Sequence, residues 1–412
     1  MAKEKRVLIV GGGFAGVQAA LDLSKKNLPN TVITLVSDRH HFEYTPLLYR
    51  AVTGRNPMEV CVPLRDIFEG KNVAIDIDTI IGVTPDQNTA IGSSGTTYEF
   101  DYAILALGSE TIFYGIEGMK DFSFSFKSIN EALRLKEHLH RMFEEGKRAT
   151  ESEKDSYYRI VIVGGGPSGV ELAGELAVYT KNFSKIHKID RNKIEIVLIE
   201  GSDRVLAMLS PKVSGLALKK LKELNVKVLL SERVKQVEKE KVLLDNDEII
   251  SKTIVWASGI RPKEFYSTIP NTEKDPKGRV VVDEQLSIKE HENVFVVGDG
   301  ANTKYSGMAQ TAIVDGAFSA EVIASKIQGK SLPKYSPKKV GYSVPVGPMW
   351  AIFTYGNISF SGLSAWILRK IIDIRYMTSI LPFWKGLIAV KEGARLCESC
   401  PTCTKCIKDN NN

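Results

Sequence analysis

Two glycine-rich turns are the part of this sequence best suited to binding a nucleotide. The pattern Gly-x-Gly-x-x-Gly occurs twice, with its glycines at Gly11, Gly13, Gly16, Gly164, Gly166 and Gly169. Each copy follows an apolar run typical of a buried strand and opens an apolar helical pattern. Glycine at these places allows a tight turn and lets a pyrophosphate approach the N-terminus of the helix. The sequence therefore predicts two dinucleotide-binding βαβ units.

An acidic residue at the end of the second strand of such a unit accepts hydrogen bonds from the ribose hydroxyls. Glu200 has this position in the second unit. Its charge would repel the 2′-phosphate of NADP, so we expect this unit to bind NADH. In the first unit Ser37 has the position and Asp38 follows it. Asp38 is either a displaced ribose ligand or a solvated turn residue.

The C-terminal part of the chain is basic. Of the net charge of +6, residues 331–412 carry +7 and the rest of the chain carries −1. Trp366, Phe383 and Trp384 accompany this charge, which favours a helix lying at a membrane surface against lipid headgroups. A homodimer interface is the alternative. No nucleic-acid reader motif is present, so we expect no nucleic-acid partner.

Two helices are predicted in charged parts of the chain. The helix over 364–381 should turn its isoleucines to one side and Arg369, Lys370 and Asp373 to the other. The helix over 128–148 should place His138 and His140 on a solvated face.

Residues 340–368 carry no charge, but their prolines and glycines predict turns and strands rather than a membrane span.

The cysteines are concentrated at the end of the chain. Cys61 stands alone and is interpreted as an apolar filler, whereas four others lie within ten residues: Cys397, Cys400, Cys403 and Cys406. Thiolates at this density predict zinc or an iron–sulfur cluster, with a labile thiol tail as the alternative. The distribution is not that of a secreted disulfide framework, so we expect a cytoplasmic location.

Three further motifs resemble those of the two-dinucleotide-binding-domain flavoproteins, over roughly residues 5–390. They are Ala106-Leu-Gly108, Trp256-Ala-Ser-Gly259 and Phe295-Val-Val-Gly298-Asp299. The resemblance implies an α/β fold with two Rossmann-like domains of the disulfide-reductase type. It also implies FAD on the first glycine turn, with Asp299 holding the ribityl chain, and NADH on the second turn with Glu200.

The same resemblance implies a division into four parts. Residues 1–114 and 263–335 would form a discontinuous FAD-binding domain, and residues 115–262 the NAD(H)-binding domain. Residues 336–396 would form a C-terminal segment with an amphipathic helix for membrane association or dimerisation. Residues 397–412 would be the cysteine-rich tail.

Within that class the sequence is most similar to the type II NADH dehydrogenases. The similar stretches are Tyr44-Thr-Pro-Leu-Leu48, the helix motif containing Glu171, and Ala309-Gln310-Thr-Ala312. The resemblance implies that Gln310 lies where flavin and quinone meet and that Glu171 lies close to flavin and nicotinamide. Glu171 could then deliver protons to the reduced quinone. The alternative is that Glu171 is an acid favoured by the helix dipole.

We therefore expect an FAD-dependent NADH:quinone oxidoreductase that does not pump protons and is peripheral on the cytoplasmic face of the membrane. Two departures from the family pattern bear on the quinone. Val314 stands where a second glutamine is usual, and the C-terminal helices are shorter and less apolar. The alternatives are an NADH-dependent reductase of a soluble, ferredoxin-like carrier and an NADH-binding redox sensor with slow turnover.

Overall fold

The structure is a computed structural model that describes residues 4–393, so the four clustered cysteines lie outside the described residues. Its first part contains these strands and helices: β1 Lys5–Val10, α1 Phe14–Lys25, β2 Thr31–Ser37, β3 His41–Glu43, α2 Leu48–Val52, β4 Cys61–Pro63, α3 Leu64–Phe68, β5 Ala74–Ile77, β6 Ile80–Thr84, β7 Thr89–Gly92, β8 Thr97–Glu99, β9 Tyr102–Leu105 and β10 Ser109–Thr111.

The middle part follows with α4 Met119–Phe122, α5 Ile129–Gly146, α6 Glu151–Tyr158, β11 Arg159–Val163, α7 Pro167–His187, β12 Glu195–Glu200, α8 Pro211–Glu223, β13 Val226–Leu230, β14 Gln236–Glu238, β15 Lys241–Leu243, β16 Glu248–Ile250, β17 Thr253–Trp256 and β18 Ile260–Pro262. The last part consists of β19 Ser287–Ile288, β20 His291–Val296, α9 Ala309–Gln328, β21 Tyr342–Pro345, β22 Ala351–Tyr355, β23 Ile358–Gly362, α10 Leu363–Ile380 and α11 Phe383–Gly393.

The first unit is built on a six-stranded sheet of order β19-β20-β9-β1-β2-β5. Its strands are parallel except for the β19–β20 pair. Helices α1 and α9 pack closely against each other, since a Cβ added at Gly316 would lie 2.2 Å from the carbonyl oxygen of Ala15. Strand β20 therefore returns from late in the sequence to complete the sheet that β1 begins.

The second unit is a four-stranded parallel sheet of order β13-β12-β11-β17. Strands β10 and β18, which pair in antiparallel fashion, connect it with the first unit. The two Rossmann-like folds that the sequence predicts are thus present. The residue boundaries proposed for the domains stay predictions.

The C-terminal segment consists of an antiparallel sheet, β21-β22-β23, followed by α10 and α11. The turns and strands predicted for residues 340–368 are confirmed as far as Gly362, after which α10 begins. Among the described residues, no helix combines the length and the hydropathy needed to span a bilayer.

The predicted orientation of α10 is wrong. Arg369 and Asp373 are buried, with 7% and 2% of their surface exposed, whereas Ile367 and Ile371 are 46% and 55% exposed. Burial is tolerated because the two charges pair, with Arg369 Nε donating to Asp373 Oδ1 at 2.9 Å. The helix therefore turns its ion pair toward the first unit and both Ile367 and Ile371 outward.

The histidines of α5 also differ from the prediction. His138 is only 8% exposed, and its Nε2 lies 2.9 Å from the carbonyl oxygen of Lys252. His140 is half-buried, with its Nδ1 3.0 Å from His187 Nε2 on α7. These rings pack α5 against the second unit instead of facing solvent.

Candidate functional site

The first glycine turn has the geometry that only glycine accommodates. Gly11 has a φ of +112°, and a Cβ on Gly16 would lie 1.9 Å from the carbonyl oxygen of Gly11. The helix α1 therefore starts directly against the end of β1. Any side chain at Gly16 would force the two apart.

The second turn repeats this geometry. Gly164 has a φ of +114°, and a Cβ on Gly169 would lie 1.9 Å from the carbonyl oxygen of Gly164. The two turns are thus equivalent in conformation as well as in sequence.

The middle glycine of each turn faces open space. Gly13 and Gly166 are the N-cap residues of α1 and α7, and neither helix has a side-chain cap or an acidic residue in its first turn. A Cβ at either glycine would meet no atom within 4 Å. The uncapped N–H groups and the open space fit a pyrophosphate at each helix. The chain's own residues therefore fit FAD at the first turn and NADH at the second.

Glu200 lies at the end of β12 and contacts the second turn, while its contact with a ribose stays a prediction. Its Oε2 accepts a 2.6 Å hydrogen bond from the N–H of Gly165, and its Oε1 accepts one of 2.7 Å from Ser202. In the first unit the side chain of Ser37 occupies the equivalent place, since a Cβ on Gly12 would lie 2.6 Å from Ser37 Oγ. The two units therefore differ in residue type at the position predicted to face a ribose.

Asp38 lies beside this position with two cations for partners. Its Oδ1 accepts from Arg39 Nε at 3.1 Å and its Oδ2 from Lys263 Nζ at 3.3 Å. Burial raises the pKa of Asp38, but the two cations outweigh it and hold the pKa below the usual value. Asp38 is thus an ionised residue at the wall of the cavity described next, and its contact with a ribose stays a prediction.

One cavity of about 750 Å³ joins most of the predicted site residues. Residues of the C-terminal segment, such as Tyr342 and Tyr376, form part of its lining. The predicted site residues in the lining come from both units: Gly11, Gly13, Asp38, Ala106, Gly108, Glu171, Gly259, Asp299 and Gln310. Gly16, Gly164, Gly166, Gly169 and Glu200 lie outside this lining. The volume is in the range of cofactor-binding cavities.

Asp299 is linked to two residues that the sequence analysis did not single out. It accepts a hydrogen bond from the hydroxyl of Ser109, and Lys127 Nζ donates to the same hydroxyl at 2.7 Å. Burial lowers the pKa of Lys127 below its usual value, with Asp299 acting in the opposite direction. An ammonium group therefore stands behind the carboxylate that would hold the ribityl chain.

Glu171 is the fifth residue of α7 and lies in the wall of the cavity. Burial raises its pKa to about 8, Asp373 contributes in the same direction, and Arg369 opposes the shift. At neutral pH Glu171 is therefore mostly protonated, which is the state needed for a proton donor.

Gln310, at the second position of α9, is exposed and bonded to the backbone at both ends of its amide. Its Nε2 donates to the carbonyl oxygen of Gly341 at 3.1 Å, and the N–H of Gly341 lies 3.4 Å from its Oε1. Gln310 thereby connects the start of α9 with the segment that enters β21.

The ion pair of α10 is the part of the site that sequence reasoning placed wrongly. Arg369 also lines the cavity, and its guanidinium donates to the backbone carbonyl oxygens of Ser343 and Pro46 at 2.9 and 3.0 Å. In the sequence, the only sign of this buried ion pair is the spacing of four residues between Arg369 and Asp373. Charged pairs with this spacing also occur on the solvated faces of helices.

No group of three or more His, Cys, Asp or Glu residues within residues 4–393 has an arrangement that could hold a metal ion. Cys61 lies on β4, half-buried. The predicted metal ligands Cys397, Cys400, Cys403 and Cys406 lie outside the described residues.

Two Rossmann-like units that share one cavity, each with a glycine turn shaped for a pyrophosphate, define a flavoprotein oxidoreductase that uses a pyridine nucleotide. The family model of the pyridine nucleotide-disulphide oxidoreductases matches residues 5–316. The chain belongs to this family.

Curated relatives extend the similarity over nearly the whole chain. The type II NADH:quinone oxidoreductase Ndh of Mycobacterium tuberculosis is 28% identical over 395 residues, covering 91% of this chain and 85% of its own length. The type II NADH:quinone oxidoreductase of Staphylococcus haemolyticus is 27% identical over 402 residues, covering 93% and 98%.

Solved structures share the fold. NDH2 from Plasmodium falciparum, in complex with NADH, has a TM-score of 0.84 at 19% identity, covering 95% of this chain and 97% of that one. The sulfide:quinone oxidoreductase of Aquifex aeolicus has a TM-score of 0.78 at 20% identity, covering 96% and 98%. At these identities the likeness concerns the fold alone.

Proposed function

We propose that this protein is an FAD-dependent NADH:quinone oxidoreductase. The observation that carries the proposal is the shared cavity, whose wall runs from the first glycine turn past Glu171 to apolar side chains of the C-terminal segment. Those side chains include Tyr342, Phe353 and Ile372. An apolar compartment continuous with the flavin site suits a quinone ring. Glu171, a residue of the second unit, lines the same cavity.

The chain's residues divide the work of binding between the two units. The first glycine turn and Asp299 would hold FAD, and the second turn and Glu200 would hold NADH. FAD, when bound, supplies the redox chemistry that accepts a hydride from NADH and reduces the quinone. The protein fixes the geometry, links Asp299 to Lys127 through the hydroxyl of Ser109 and lines the quinone compartment with apolar groups.

Glu171 is the proposed proton donor for the reduced quinone. Reduction of a quinone to a quinol consumes two electrons and two protons, and a group near the acceptor must release at least one of them. Glu171 lines the cavity, and burial raises its pKa to about 8. It therefore carries a proton at neutral pH, and solvent can reprotonate it between turnovers.

An acceptor screen with the purified flavin-loaded protein tests the function. NADH oxidation should be stimulated by a menaquinone or ubiquinone analogue and not by a small iron–sulfur protein. The opposite pattern would assign the chain as a reductase of a soluble carrier. Slow turnover with every acceptor, together with altered membrane binding when the flavin is reduced, would assign it as a redox sensor.

We also propose that the protein binds the cytoplasmic face of the membrane through α10 and α11. Six apolar side chains, here called the C-terminal apolar face, are each at least 46% exposed: Leu363, Ile367, Ile371, Phe383, Trp384 and Ile388. Arg375, Lys385 and Lys391 are exposed on the same two helices. An apolar surface with exposed cations suits the interface of an anionic bilayer. A homodimer that buries this face is the competing arrangement.

For the cysteine tail we propose a bound metal, either zinc or an iron–sulfur cluster. The support is the sequence alone, because four thiols recur at every third position from Cys397 to Cys406. Elemental analysis of the full chain should find zinc or iron in stoichiometric amount, and a variant with all four replaced by serine should lack it. Absence of both metals from the anaerobically purified chain would refute the proposal.

A further inference from the structure

The ribose end of the second unit contains an arginine to which no role has been given. Arg233 follows β13, and its side chain runs over the backbone at the end of β12. A Cβ on Gly201 would lie 3.5 Å from Arg233 Cγ and 4.0 Å from Arg233 Nε. Gly201 directly follows Glu200, so the Arg233 side chain packs against the end of the strand that carries the carboxylate expected to bind the ribose.

Backbone hydrogen bonds fix this arrangement. The N–H of Glu232 donates to the carbonyl oxygen of Glu200 at 3.1 Å, and the N–H of Ser231 donates to that of Ser202 at 2.8 Å. These bonds extend the β12–β13 pairing, in which Glu200 is opposite Leu230. The segment that carries Arg233 is therefore held against the glutamate by the sheet itself.

Of three cationic side chains in this part of the second unit, two already have hydrogen-bonding or ion-pair partners. Lys235 forms an ion pair with Asp245 at 2.9 Å, and the guanidinium of Arg204 donates to the carbonyl oxygen of Ala207 at 3.0 Å. Arg233 is exposed and forms no ion pair with the residues that the structure describes. It is thus a cation that remains available to a ligand at this edge of the sheet.

We infer that Arg233 is a second specificity-determining residue of the nucleotide site, beside Glu200. Its guanidinium forms one wall for the adenosine of NADH, where a planar cation can stack on the base. The carboxylate of Glu200 disfavours a 2′-phosphate by charge repulsion. Once that charge is removed, Arg233 becomes the partner of a 2′-phosphate, because guanidinium binds phosphate in a bidentate manner.

This inference rests on the proposed use of NADH, so the experiment separates the two. The flavin-loaded wild type is compared with Arg233→Ala, Glu200→Gln and the double variant, using ferricyanide as acceptor so that the quinone site is not involved. Arg233→Ala should raise KM for NADH about fivefold to tenfold with kcat little changed. Glu200→Gln should raise kcat/KM for NADPH at least about tenfold, and the double variant should lose that gain.

Lys235→Ala is the matched control, since it removes a positive charge two residues away that already has a partner. Adenosine 2′,5′-bisphosphate, measured by calorimetry, gives a readout that needs no turnover: Glu200→Gln should bind it at least about tenfold more tightly than the double variant. Equal binding by these two variants, or an effect of Lys235→Ala as large as that of Arg233→Ala, would overturn the inference. Failure of the wild type to oxidise NADH would overturn the proposed function. The calorimetric comparison would then still test the inference about Arg233, because it does not depend on turnover.

Discussion

The phenolic hydroxyl of Tyr44 donates a 2.8 Å hydrogen bond to Asp373, although 329 positions separate the two residues. The same carboxylate oxygen accepts from Arg369 Nε at 2.9 Å. The ring of Tyr44 also stacks on that of Tyr376, with centroids 5.3 Å apart. The first unit therefore recognises α10 through a buried ion pair and an aromatic contact, and the C-terminal segment is an integral wall of the cavity.

Replacing Arg369 by Met should strongly destabilise the protein. It would leave the buried Asp373 with only the more distant Lys370 Nζ, at 4.0 Å, as a cation. Breaking a buried ion pair in this way costs on the order of 3 to 5 kcal/mol. Urea denaturation followed by tryptophan fluorescence measures the loss. Arg375→Met on the exposed side of the same helix should change the free energy of unfolding by about 0.5 kcal/mol or less. Equal effects of the two substitutions would contradict the role of the pair.

The sequence allowed the helix to be predicted but not the direction of its charges. Isoleucines recur on α10 with helical spacing, and this pattern is typical of a core-facing side. The structure reverses the assignment because Asp373 receives Tyr44 and Arg369 receives two backbone carbonyl oxygens from distant segments. Partners so far apart in sequence leave no local pattern in the helix itself.

Glu171→Gln should slow quinone reduction by about 100-fold or more, because glutamine cannot release a proton. In the wild type the rate should fall as pH rises through about 8, where Glu171 loses its proton. The variant should lack this fall. Stopped-flow measurement of flavin reoxidation by a quinone analogue from pH 6 to 9 tests both points.

A control comes from the other half of the reaction. Flavin reduction by NADH does not need a proton from Glu171, so its rate in Glu171→Gln should stay within about threefold of the wild type. A variant whose reoxidation rate keeps the wild-type pH profile would remove Glu171 from the proton path.

Lys127→Met should weaken flavin binding about tenfold, because Asp299 would keep Ser109 as a partner but lose the neighbouring ammonium. Lys127→Arg keeps the charge and should retain most of the affinity. Titration of the apoprotein with FAD, followed by flavin fluorescence, gives the dissociation constants. If the Lys127→Met variant binds FAD with wild-type affinity, the contact between Lys127 and Ser109 does not contribute to flavin binding.

The glycine turns and Lys127 mark the two limits of what the sequence reveals about the site. Gly16 and Gly169 could be predicted from the sequence because each is the last glycine of a recognisable motif. The structure gives the reason for glycine, since a Cβ at either position would lie 1.9 Å from a backbone carbonyl oxygen. Lys127 precedes α5 and resembles any surface lysine at the start of a helix. Its segment is held in place by backbone hydrogen bonds between Phe124 and strand β17, and Lys127 then reaches the hydroxyl of Ser109.

His140 should make the protein less stable in mild acid. Burial lowers its pKa to about 4, and His187 and Lys136 act in the same direction while Glu144 opposes them. An unfolded histidine titrates near 6.5, so the unfolded state binds more protons between about pH 6.5 and 4. The free energy of unfolding should therefore fall as pH is lowered through this window.

His140→Phe should reduce this fall and leave stability between pH 7 and 8 less affected, because His140 is neutral there in both states. Urea denaturation at pH 5 and 7.5 gives the comparison. An identical pH dependence in the two proteins would show that His140 does not contribute, leaving His138, whose pKa burial also lowers to about 4.

Ile371→Glu combined with Trp384→Glu should release the protein from membranes. Both side chains belong to the C-terminal apolar face, with 55% and 74% of their surface exposed. They can therefore be changed without disturbing the buried Arg369 and Asp373, which removal of the whole helix would destroy. Transferring two apolar side chains out of the bilayer interface costs a few kcal/mol, so binding to anionic vesicles should weaken by about tenfold or more.

Ile91→Glu is the matched control, since Ile91 is 44% exposed on β7, outside the C-terminal segment, and should leave vesicle binding unchanged. Flotation with vesicles of neutral and of anionic lipid separates the apolar from the electrostatic contribution. If the double variant becomes monomeric while its flotation is unchanged, the face is a dimer interface. Loss of flotation at unchanged oligomeric state would instead establish these two helices as the surface through which the enzyme reaches a quinone dissolved in lipid.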